Sequence, residues 1–273
     1  MLFVLGCGYI GRYFLEQRGA FYRDCIASTT TESRVPSLLS LASEVVVLEG
    51  HDGRALEKVI DRVDVIAIFL APGSYSEYEQ VYLNTAKTLL PILQKRQRPL
   101  YLLYTSSTFV YEGCTDSLVS EKTPIATSHP KGRVLVSTEN IYLSCNNPLV
   151  STCILRLAGI YGPDRDLSDR ARWMAGRVLP GSGLEPTNHV HRDDVVRASW
   201  FCIEKKLTGV FNVVSDAHPT RKELYEGLCQ KLNIEIPVWD PNKQAEHGCG
   251  VFVCSDRIKE MGFVFSYPIL ITG

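Results

Sequence analysis

The chain has 273 residues, with 29 lysines and arginines against 30 aspartates and glutamates, so its formal net charge is −1. This balance argues against nucleic acid as a partner, because proteins that neutralise phosphates normally carry a basic excess on one face. Hydrophobic residues make up 45% of the chain and charged residues 22%. Such a composition is typical of a globular protein and excludes extensive disorder.

Neither a membrane span nor secretion is predicted. The apolar runs are far shorter than the roughly 18 residues that a membrane-spanning helix needs, and Met1 leads directly into a glycine-rich turn rather than into a signal peptide. The nine cysteines are odd in number and contain no Cys-x-x-Cys pair. We therefore expect no disulfide framework, no zinc site, and a reducing, cytoplasmic location.

Short apolar runs alternate with helical patterns along the first two thirds of the chain. Helical periodicity marks residues 10–18, 78–95 and 133–144. Strands that are apolar on both faces and alternate with helices indicate a parallel sheet covered on both sides. The sequence therefore predicts a doubly wound, Rossmann-type α/β fold with about seven strands. The predicted strands are residues 2–5, 25–28, 45–48, 63–70, 100–104, 151–157 and 210–214.

The regular alternation weakens after about residue 160. A loop rich in glycine and proline occupies residues 179–186, and helical patterns follow at 193–205 and 221–232. Insertions after the last sheet strands usually gather at the carboxyl edge of the sheet, where ligands bind. We predict a sheet domain at residues 1–160 and a small C-terminal substrate lobe at 161–273, with one segment, about 190–214, returning to the sheet.

A glycine-rich turn joins the first predicted strand to the first predicted helix. In such a turn Gly6 permits the tight bend, Gly8 lets the backbone approach a diphosphate, and Gly11 allows close packing of helix on strand. The strand before it and the helix after it are the context that a dinucleotide-binding fingerprint requires. The first domain is therefore predicted to bind NAD(P) through this turn. The predicted contacts are Gly6, Cys7, Gly8, Tyr9, Ile10 and Gly11.

The end of the second strand bears on which dinucleotide binds. An acidic residue there would hydrogen-bond a ribose 2′-hydroxyl and repel a 2′-phosphate. Residues 27–34 instead read Ala-Ser-Thr-Thr-Thr-Glu-Ser-Arg, with Glu32 past the expected position. Hydroxyls and a guanidinium suit a phosphate dianion, so Thr30 and Arg34 are predicted contacts and NADP is favoured, with NAD as the alternative.

Four segments together resemble a known family. They are the glycine turn, residues 103–111 (LYTSSTFVY), 155–163 (LRLAGIYGP) and 189–194 (HVHRDD). Their order and spacing are similar to those of extended short-chain dehydrogenases/reductases, which include NAD(P)-dependent sugar epimerases and dehydratases. The resemblance implies a small, sugar-like substrate and a homodimer formed through the helices at 78–95 and 133–144, although packing on the sheet explains their apolar residues equally well.

The same resemblance implies roles for individual residues. It assigns Asp52 to the adenine amino group and Ser107 to the catalytic hydroxyl. It places His191 and Asp194 in the segment that closes the substrate lobe against the cofactor domain, with His191 as a candidate substrate contact. The alternative is a strand-to-helix junction with Asp193 or Asp194 near a helix start. The remaining implied cofactor contacts are backbone or nicotinamide neighbours, namely Leu70, Ala71, Pro72, Leu157, Ala158 and Ile160.

One departure from the family pattern concerns catalysis. The family places a Tyr after the catalytic Ser, a Lys four positions later and a Glu four positions after that. Counting back from Glu139 puts Lys131 at the Tyr position and Leu135 at the Lys position. A phenol acts as a base at neutral pH only when a nearby cation stabilises its phenolate, so both partners of the usual pair are missing.

Three residues are candidates to replace this pair, and each has a structural alternative. Lys131 can act as a catalytic acid or base, or it can be an exposed residue at a helix start. His129 can act as a catalytic acid or base, or it lies in a loop before Pro130. Tyr111 lines a substrate pocket, or it is a packed aromatic residue.

The leading hypothesis is an NADP(H)-binding, epimerase/dehydratase-like oxidoreductase that acts on a small polar or sugar-like substrate without the usual Tyr/Lys pair. The alternative is a catalytically silent NADP(H)-binding sensor or scaffold protein. A serine hydrolase is disfavoured because residues 180–184 lack the spacing of a nucleophile elbow. The His189-x-His191 pair shows no third ligand, so no metal site is predicted.

Overall fold

The computed structural model describes residues 1–17, 24–243 and 250–270. Residue 18, the end of the first predicted helix, and Cys249 lie outside the described residues. The described strands are β1 Leu2–Leu5, β2 Cys25–Thr29, β3 Glu44–Val47, β4 Val65–Ile68, β5 Leu100–Ser107, β6 Leu118–Val119, β7 Val150–Leu157, β8 Gly159–Tyr161, β9 Val178–Pro180, β10 His189–His191, β11 Gly209–Val213, β12 Val238–Asp240 and β13 Phe252–Val253. The described α-helices are α1 Tyr9–Glu16, α2 Val35–Leu39, α3 Gly53–Ile60, α4 Thr85–Gln94, α5 Pro130–Ser144, α6 Leu167–Met174, α7 Arg192–Lys205, α8 Arg221–Leu232 and α9 Asp256–Glu260.

Seven of the described strands form the central sheet, in the order β11-β7-β5-β4-β1-β2-β3. Strands β3, β2, β1, β4 and β5 run parallel to their neighbours. The chain order reverses between β1 and β4, and ligands of doubly wound sheets bind at such a switch point. The prediction of a Rossmann-type α/β fold with about seven strands is confirmed.

Each predicted apolar run lies on one strand of this sheet, with modest changes in length. Strand β5 continues three residues past the predicted end at Tyr104, through Thr105 and Ser106 to Ser107. The Thr105 hydroxyl donates a hydrogen bond of 3.0 Å to the carbonyl oxygen of Ile68 on β4. The last residues of β5 are polar, so the apolar pattern in the sequence ends before the strand does.

The predicted helix at 78–95 is divided in the structure. A 3₁₀ turn covers Tyr75–Glu77, a π-helical turn covers Glu79–Asn84, and helix α4 follows. A π-helical turn holds one more residue than an α-helical turn, so it changes the direction in which the preceding side chains project. Periodicity in the sequence does not resolve these helix types, because residues three to five positions apart share a face in all of them.

Contacts between residues divide the described chain into two compact units. The first unit comprises Met1–Ser107, Pro130–Arg156 and Val196–Phe211, and the second comprises Thr108–His129, Leu157–Val195 and Asn212–Gly273. Three two-stranded pairs, β8 with β10, β9 with β12 and β6 with β13, supplement the central sheet. The division of the chain into cofactor and substrate domains stays a prediction.

The second unit has its own apolar core between helices α6 and α8. Leu167 and Ala171 of α6 pack with Leu224 and Leu228 of α8. Helix α8 begins at a capping box in which the Thr220 hydroxyl accepts from the amide of Glu223 at 3.1 Å, and the Glu223 carboxylate accepts from the amide of Thr220. Such caps satisfy backbone donors that have no partner within the helix.

In the first unit, a buried polar cluster joins two strands and a helix. The Ser106 hydroxyl on β5 donates to the Glu139 carboxylate on α5 at 2.6 Å. Arg156 on β7 donates to the same carboxylate through Nε at 3.1 Å and Nη2 at 2.7 Å. All three side chains are buried. We call these residues the Ser106–Glu139–Arg156 cluster; it fixes α5 relative to the end of β5.

The cluster predicts an unequal response to two charge-neutralising substitutions. Glu139→Gln leaves the Arg156 guanidinium buried without its carboxylate, which we expect to lower the free energy of unfolding by about 3 to 5 kcal/mol. Asp169→Asn breaks the exposed pair with Arg172 and is expected to cost less than about 1 kcal/mol. Urea unfolding of both variants measures the difference. Equal losses would contradict a structural role for the buried pair.

Candidate functional site

The glycine turn is held between the ends of two strands. Gly6 adopts φ +95°, a conformation that residues with a β-carbon rarely take. Its amide donates to the Ser28 hydroxyl on β2 at 2.9 Å, and a β-carbon added to Gly6 would lie 3.0 Å from the backbone of Phe69, just past β4. The turn therefore sits at the switch point of the sheet, beside the carboxyl ends of β1, β2 and β4.

The other two glycines of the turn differ in what surrounds them. A β-carbon at Gly11 would overlap the carbonyl oxygen of Gly6, whereas one at Gly8 would meet nothing within 4 Å. Gly8 precedes α1 and brings no side chain to cap the helix. A helix N-terminus that faces open space attracts anions through its amides and its dipole. This geometry fits the diphosphate of a dinucleotide.

Hydroxyl groups and one guanidinium surround the end of β2. The hydroxyls of Ser28 and Thr29 accept backbone amide hydrogens, from Gly6 at 2.9 Å and from Thr31 at 3.1 Å. Thr30 is exposed. Arg34 is half-buried, and its Nη2 donates to the carbonyl oxygen of Cys7 at 2.6 Å. The structure thus places the guanidinium of Arg34 directly beside the glycine turn.

The remaining predicted cofactor contacts of the first unit lie after β3 and β4. The Asp52 carboxylate caps helix α3 by accepting from the Ala55 amide at 3.1 Å. Leu70, Ala71 and Pro72 follow β4 and are at least partly exposed. Their strands are parallel to β1, so these residues share the carboxyl edge of the sheet with the glycine turn.

The two serines at the end of β5 have different surroundings. Ser106 is buried in the Ser106–Glu139–Arg156 cluster, whereas Ser107, the predicted catalytic hydroxyl, is half-buried at the last position of the strand. Successive side chains of a strand point to opposite faces. The pairing of Ser106 with Glu139 was not predicted, because no local pattern links two residues so distant in the chain.

Lys131 lies on the first turn of α5 and is half-buried. Its Nζ is 4.9 Å from the ring centre of Tyr75 and 5.4 Å from that of Tyr78. Leu135, at the position where the family resemblance implies a Lys, is buried. Neither tyrosine is among the predicted site residues, although the spacing of Tyr75, Tyr78 and Tyr82 in the sequence is typical of an aromatic surface on one side of a helix.

The predicted site residues of the second unit are mostly buried. The Tyr111 hydroxyl donates to Asn212 Oδ1 at 2.9 Å, within the interior of the unit. Leu157 and Ala158 are buried, and Ile160 on β8 is half-buried. His129, which is half-buried, packs its ring edge against Phe109 at 5.0 Å between ring centres.

His191 lies under an aromatic residue from the C-terminal segment. The Tyr267 ring is 3.8 Å from the His191 ring, and the amide of Asp193 donates to His191 Nδ1 at 3.2 Å. Burial lowers the pKa of His191. Asp194 is fully buried and accepts from the amides of Ser266 and Tyr267, each at 2.8 Å. The strand-to-helix junction at β10 and α7 therefore anchors the segment around Tyr267.

Metal ligands do not gather within the described ranges. Among residues 1–17, 24–243 and 250–270, no group of three or more His, Cys, Asp or Glu side chains could hold a metal ion. Over the same residues, no helix combines the length and the apolar character needed to cross a membrane.

His189 on β10 is a buried imidazole that burial keeps neutral. Its Nδ1 has no hydrogen-bond partner among the described residues, and its ring packs within 6.3 Å of the Tyr161 ring. Burial lowers the pKa of His189 to about 4. In the unfolded chain a His titrates near 6.5. Between these two values only the unfolded state takes up the proton.

This difference predicts a loss of stability in acid. As the pH falls from about 6.5 to about 4, the free energy of unfolding should drop by about 1.4 kcal/mol per unit, up to about 3 kcal/mol, because of His189. Urea unfolding of the wild type and of His189→Gln at several pH values measures this slope. We expect a shallower slope in the variant, with the part due to His191 and His218 remaining, since burial lowers the pKa of both. Replacing the exposed His51 serves as control, and identical slopes for wild type and His189→Gln would contradict the prediction.

Comparisons with known proteins agree with this geometry. The model of the NAD dependent epimerase/dehydratase family matches residues 2–213. Protein YeeZ of Escherichia coli (strain K12) is 29% identical over 276 aligned residues, which cover 97% of this chain and 95% of that protein.

Two solved structures illustrate the shared fold. A UDP-glucose 4-epimerase from Thermotoga maritima, crystallised with UDP-glucose, aligns with a TM-score of 0.80 at 20% identity, covering 97% of this chain and 93% of that one. A dTDP-glucose 4,6-dehydratase from Streptomyces venezuelae, with NAD bound, aligns with a TM-score of 0.79 at 18% identity, covering 97% and 92%. Since the family model spans most of the chain, the protein belongs to the NAD dependent epimerase/dehydratase family.

Proposed function

We propose that this chain binds NADP(H) on the glycine turn and acts as an epimerase/dehydratase-type oxidoreductase on a small polar or sugar-like substrate, without the family's Tyr/Lys pair. The observation that carries the proposal is the open space at Gly8 before an uncapped helix. When bound, the cofactor would supply the hydride transfer, and the protein would supply binding and orientation.

Residues of the first unit are proposed to bind the cofactor and to supply the catalytic side chains. The amides at the start of α1 would hold the diphosphate, and the backbone at residues 70–72 would contact the adenine ribose. Arg34 would pair with a ribose 2′-phosphate, because a guanidinium binds a phosphate dianion through charge-assisted hydrogen bonds; its position beside the glycine turn supports NADP over NAD. Ser107 and Lys131 are the proposed catalytic side chains.

The second unit is proposed to supply the substrate residues, with Tyr111 and His191 as candidates. Both side chains are buried in the described structure, so direct contact with a substrate requires their neighbours to move. The half-buried ring of Tyr267 on His191 is the part of this cluster nearer to solvent. The family relatives support a sugar-type substrate, since the epimerase structure holds UDP-glucose.

A second function rests on the substitution of Leu135 for the expected Lys. A protein that kept the cofactor site and lost catalysis would be an NADP(H)-binding sensor or scaffold. Two assays separate the two functions: turnover of NADPH with aldehydes, and conversion of UDP-glucose or dTDP-glucose in the presence of NADP⁺. Tight cofactor binding with complete inertness toward these compounds would favour the sensor.

The glycine turn yields a paired prediction. Gly8→Ala fills the space proposed for the diphosphate, so it should weaken NADPH binding at least about tenfold while lowering the free energy of unfolding by less than about 1 kcal/mol. Gly11→Ala forces its β-carbon onto the Gly6 carbonyl oxygen and should destabilise the fold by about 2 kcal/mol or more. Titration calorimetry and urea unfolding measure the two effects. Undiminished NADPH affinity in Gly8→Ala would refute the proposed diphosphate site.

Arg34 provides the test of cofactor preference. Arg34→Ala should raise the Kd for NADPH by about 10-fold to 100-fold, because a charge-assisted hydrogen bond contributes about 1.5 to 3 kcal/mol, and should change the Kd for NADH by less than about twofold. Arg62→Ala, which removes an exposed guanidinium paired with Glu44, is the matched control. Tighter binding of NADH than of NADPH by the wild type would overturn the preference.

A further inference from the structure

Lys131 is held against two aromatic faces in the first unit. Its ammonium lies 4.9 Å from the ring centre of Tyr75 and 5.4 Å from that of Tyr78. An ammonium within about 6 Å of an aromatic ring centre is attracted by the negative face of the ring. The two rings therefore restrict where a long and otherwise flexible side chain places its charge.

The position of Lys131 follows from the Ser106–Glu139–Arg156 cluster. Glu139 on α5 is level with Ser106 near the carboxyl end of β5, because the two side chains share a hydrogen bond of 2.6 Å. A helix that follows a strand of a parallel sheet runs back antiparallel to it. Lys131 precedes Glu139 by eight residues, so it lies about 12 Å further along the helix axis, beyond the carboxyl edge. Ligands of such sheets bind at that edge.

The two tyrosines are anchored from the interior of the same unit. Tyr78 contacts Tyr82 edge to face at 5.2 Å between ring centres, and Tyr82 contacts the buried Tyr104 at 6.5 Å. Tyr104 packs in turn against Tyr142 of α5 at 4.7 Å. The π-helical turn at Glu79–Asn84 lies within this series. The aromatic series thus connects the rings around Lys131 to the core.

The ammonium of Lys131 can take part in proton transfer in one direction only, as a donor. An ammonium carries three N–H donors and no acceptor, so it gives a proton and accepts none. Reduction of a carbonyl requires a proton donor at the carbonyl oxygen, whereas oxidation of an alcohol requires a base. We propose that Tyr75 and Tyr78 are positioning residues that hold Lys131 as the proton donor for carbonyl reduction. This inference rests on the proposed function, narrows it to carbonyl reduction, and adds the two positioning residues.

The step balances with the reduced nicotinamide as the hydride source. A carbonyl carbon receives the hydride as the cofactor is oxidised, the N–H bond at Lys131 Nζ breaks, and an O–H bond forms on the carbonyl oxygen. The neutral amine then regains a proton from water. No other oxidant or reductant is required.

The Tyr78 hydroxyl is the competing donor. Burial raises the pKa of Tyr78, so its phenol stays protonated at neutral pH. If the phenol were the donor, its hydroxyl would be indispensable. If Tyr78 acts through its ring, the Tyr78→Phe variant should keep most of the reductase activity that the Tyr78→Leu variant loses.

The first experiment measures NADPH oxidation with 4-nitrobenzaldehyde and 9,10-phenanthrenequinone. Lys131→Gln should lower the rate about 100-fold and leave the Kd for NADPH unchanged, whereas Lys87→Gln, at an exposed lysine of α4, should match the wild type. Tyr78→Leu should lower the rate about fivefold, and Tyr78→Phe should recover most of that loss. A Tyr78→Phe rate as low as that of Tyr78→Leu, or equal rates for Lys131→Gln and Lys87→Gln, would overturn the proposal.

The second experiment does not depend on turnover. Reductive methylation with ¹³C-formaldehyde labels lysines as dimethylammonium groups, and ring currents should move the Lys131 signal upfield. We expect this signal to be absent in Lys131→Gln, to lose its displacement in Tyr78→Leu and to keep it in Tyr78→Phe. An undisplaced Lys131 signal in the wild type would refute the positioning role.

The two experiments also separate failure of this inference from failure of the proposed function. If calorimetry detects no binding of NADPH, the proposed function fails and the proton-donor role fails with it. If NADPH binds and carbonyl compounds are reduced at the same rate by Lys131→Gln and the wild type, the proposed function stands and only the role of Lys131 is overturned.

Discussion

The close approach of helix α1 to strand β1 is the constraint on which the rest of the first unit depends. A side chain at Gly11 would overlap the Gly6 carbonyl oxygen, and Gly6 itself adopts a positive φ against the backbone of Phe69. Since both positions exclude a β-carbon, the chain turns sharply at the switch point of the sheet. The N-terminus of α1 then faces the open edge, where its dipole and amides favour an anion.

The Ser106–Glu139–Arg156 cluster is a second constraint, which acts near the carboxyl end of β5. The Ser106–Glu139–Arg156 cluster buries a carboxylate and a guanidinium together, which is tolerable only because each is hydrogen-bonded. It fixes the position of α5 along the direction of β5, and thereby how far Lys131 lies beyond the carboxyl end of that strand. The series of tyrosine rings sets the lateral position of the same side chain. A polar cluster and an aromatic series thus fix one cation at the carboxyl edge.

The chain belongs to the NAD dependent epimerase/dehydratase family, and the family resemblance implies a Tyr and a Lys at the positions where this sequence has Lys131 and Leu135. A phenol beside a cation can exchange a proton in both directions, because the cation makes the phenolate accessible near neutral pH. Two rings that attract an ammonium keep it protonated, so Lys131 is present as a proton donor and not as a base. The proposed change from Tyr to Lys therefore alters the direction of proton transfer and leaves the position of the donor on the helix unchanged.

The sequence by itself determined six of the seven sheet strands, the glycine turn and the helices α7 and α8 to within a residue or two, because hydrophobic periodicity and glycine positions are local properties of the chain. The bounds of β5 and the π-helical turn before α4 needed the structure, since polar strand ends and helix types leave no distinct local pattern. Only tertiary structure decided that Ser106 bonds Glu139, that Lys131 lies over Tyr75 and Tyr78, and that Tyr267 covers His191. Each of these contacts joins residues far apart in the chain, and their meeting depends on the packing of whole strands and helices.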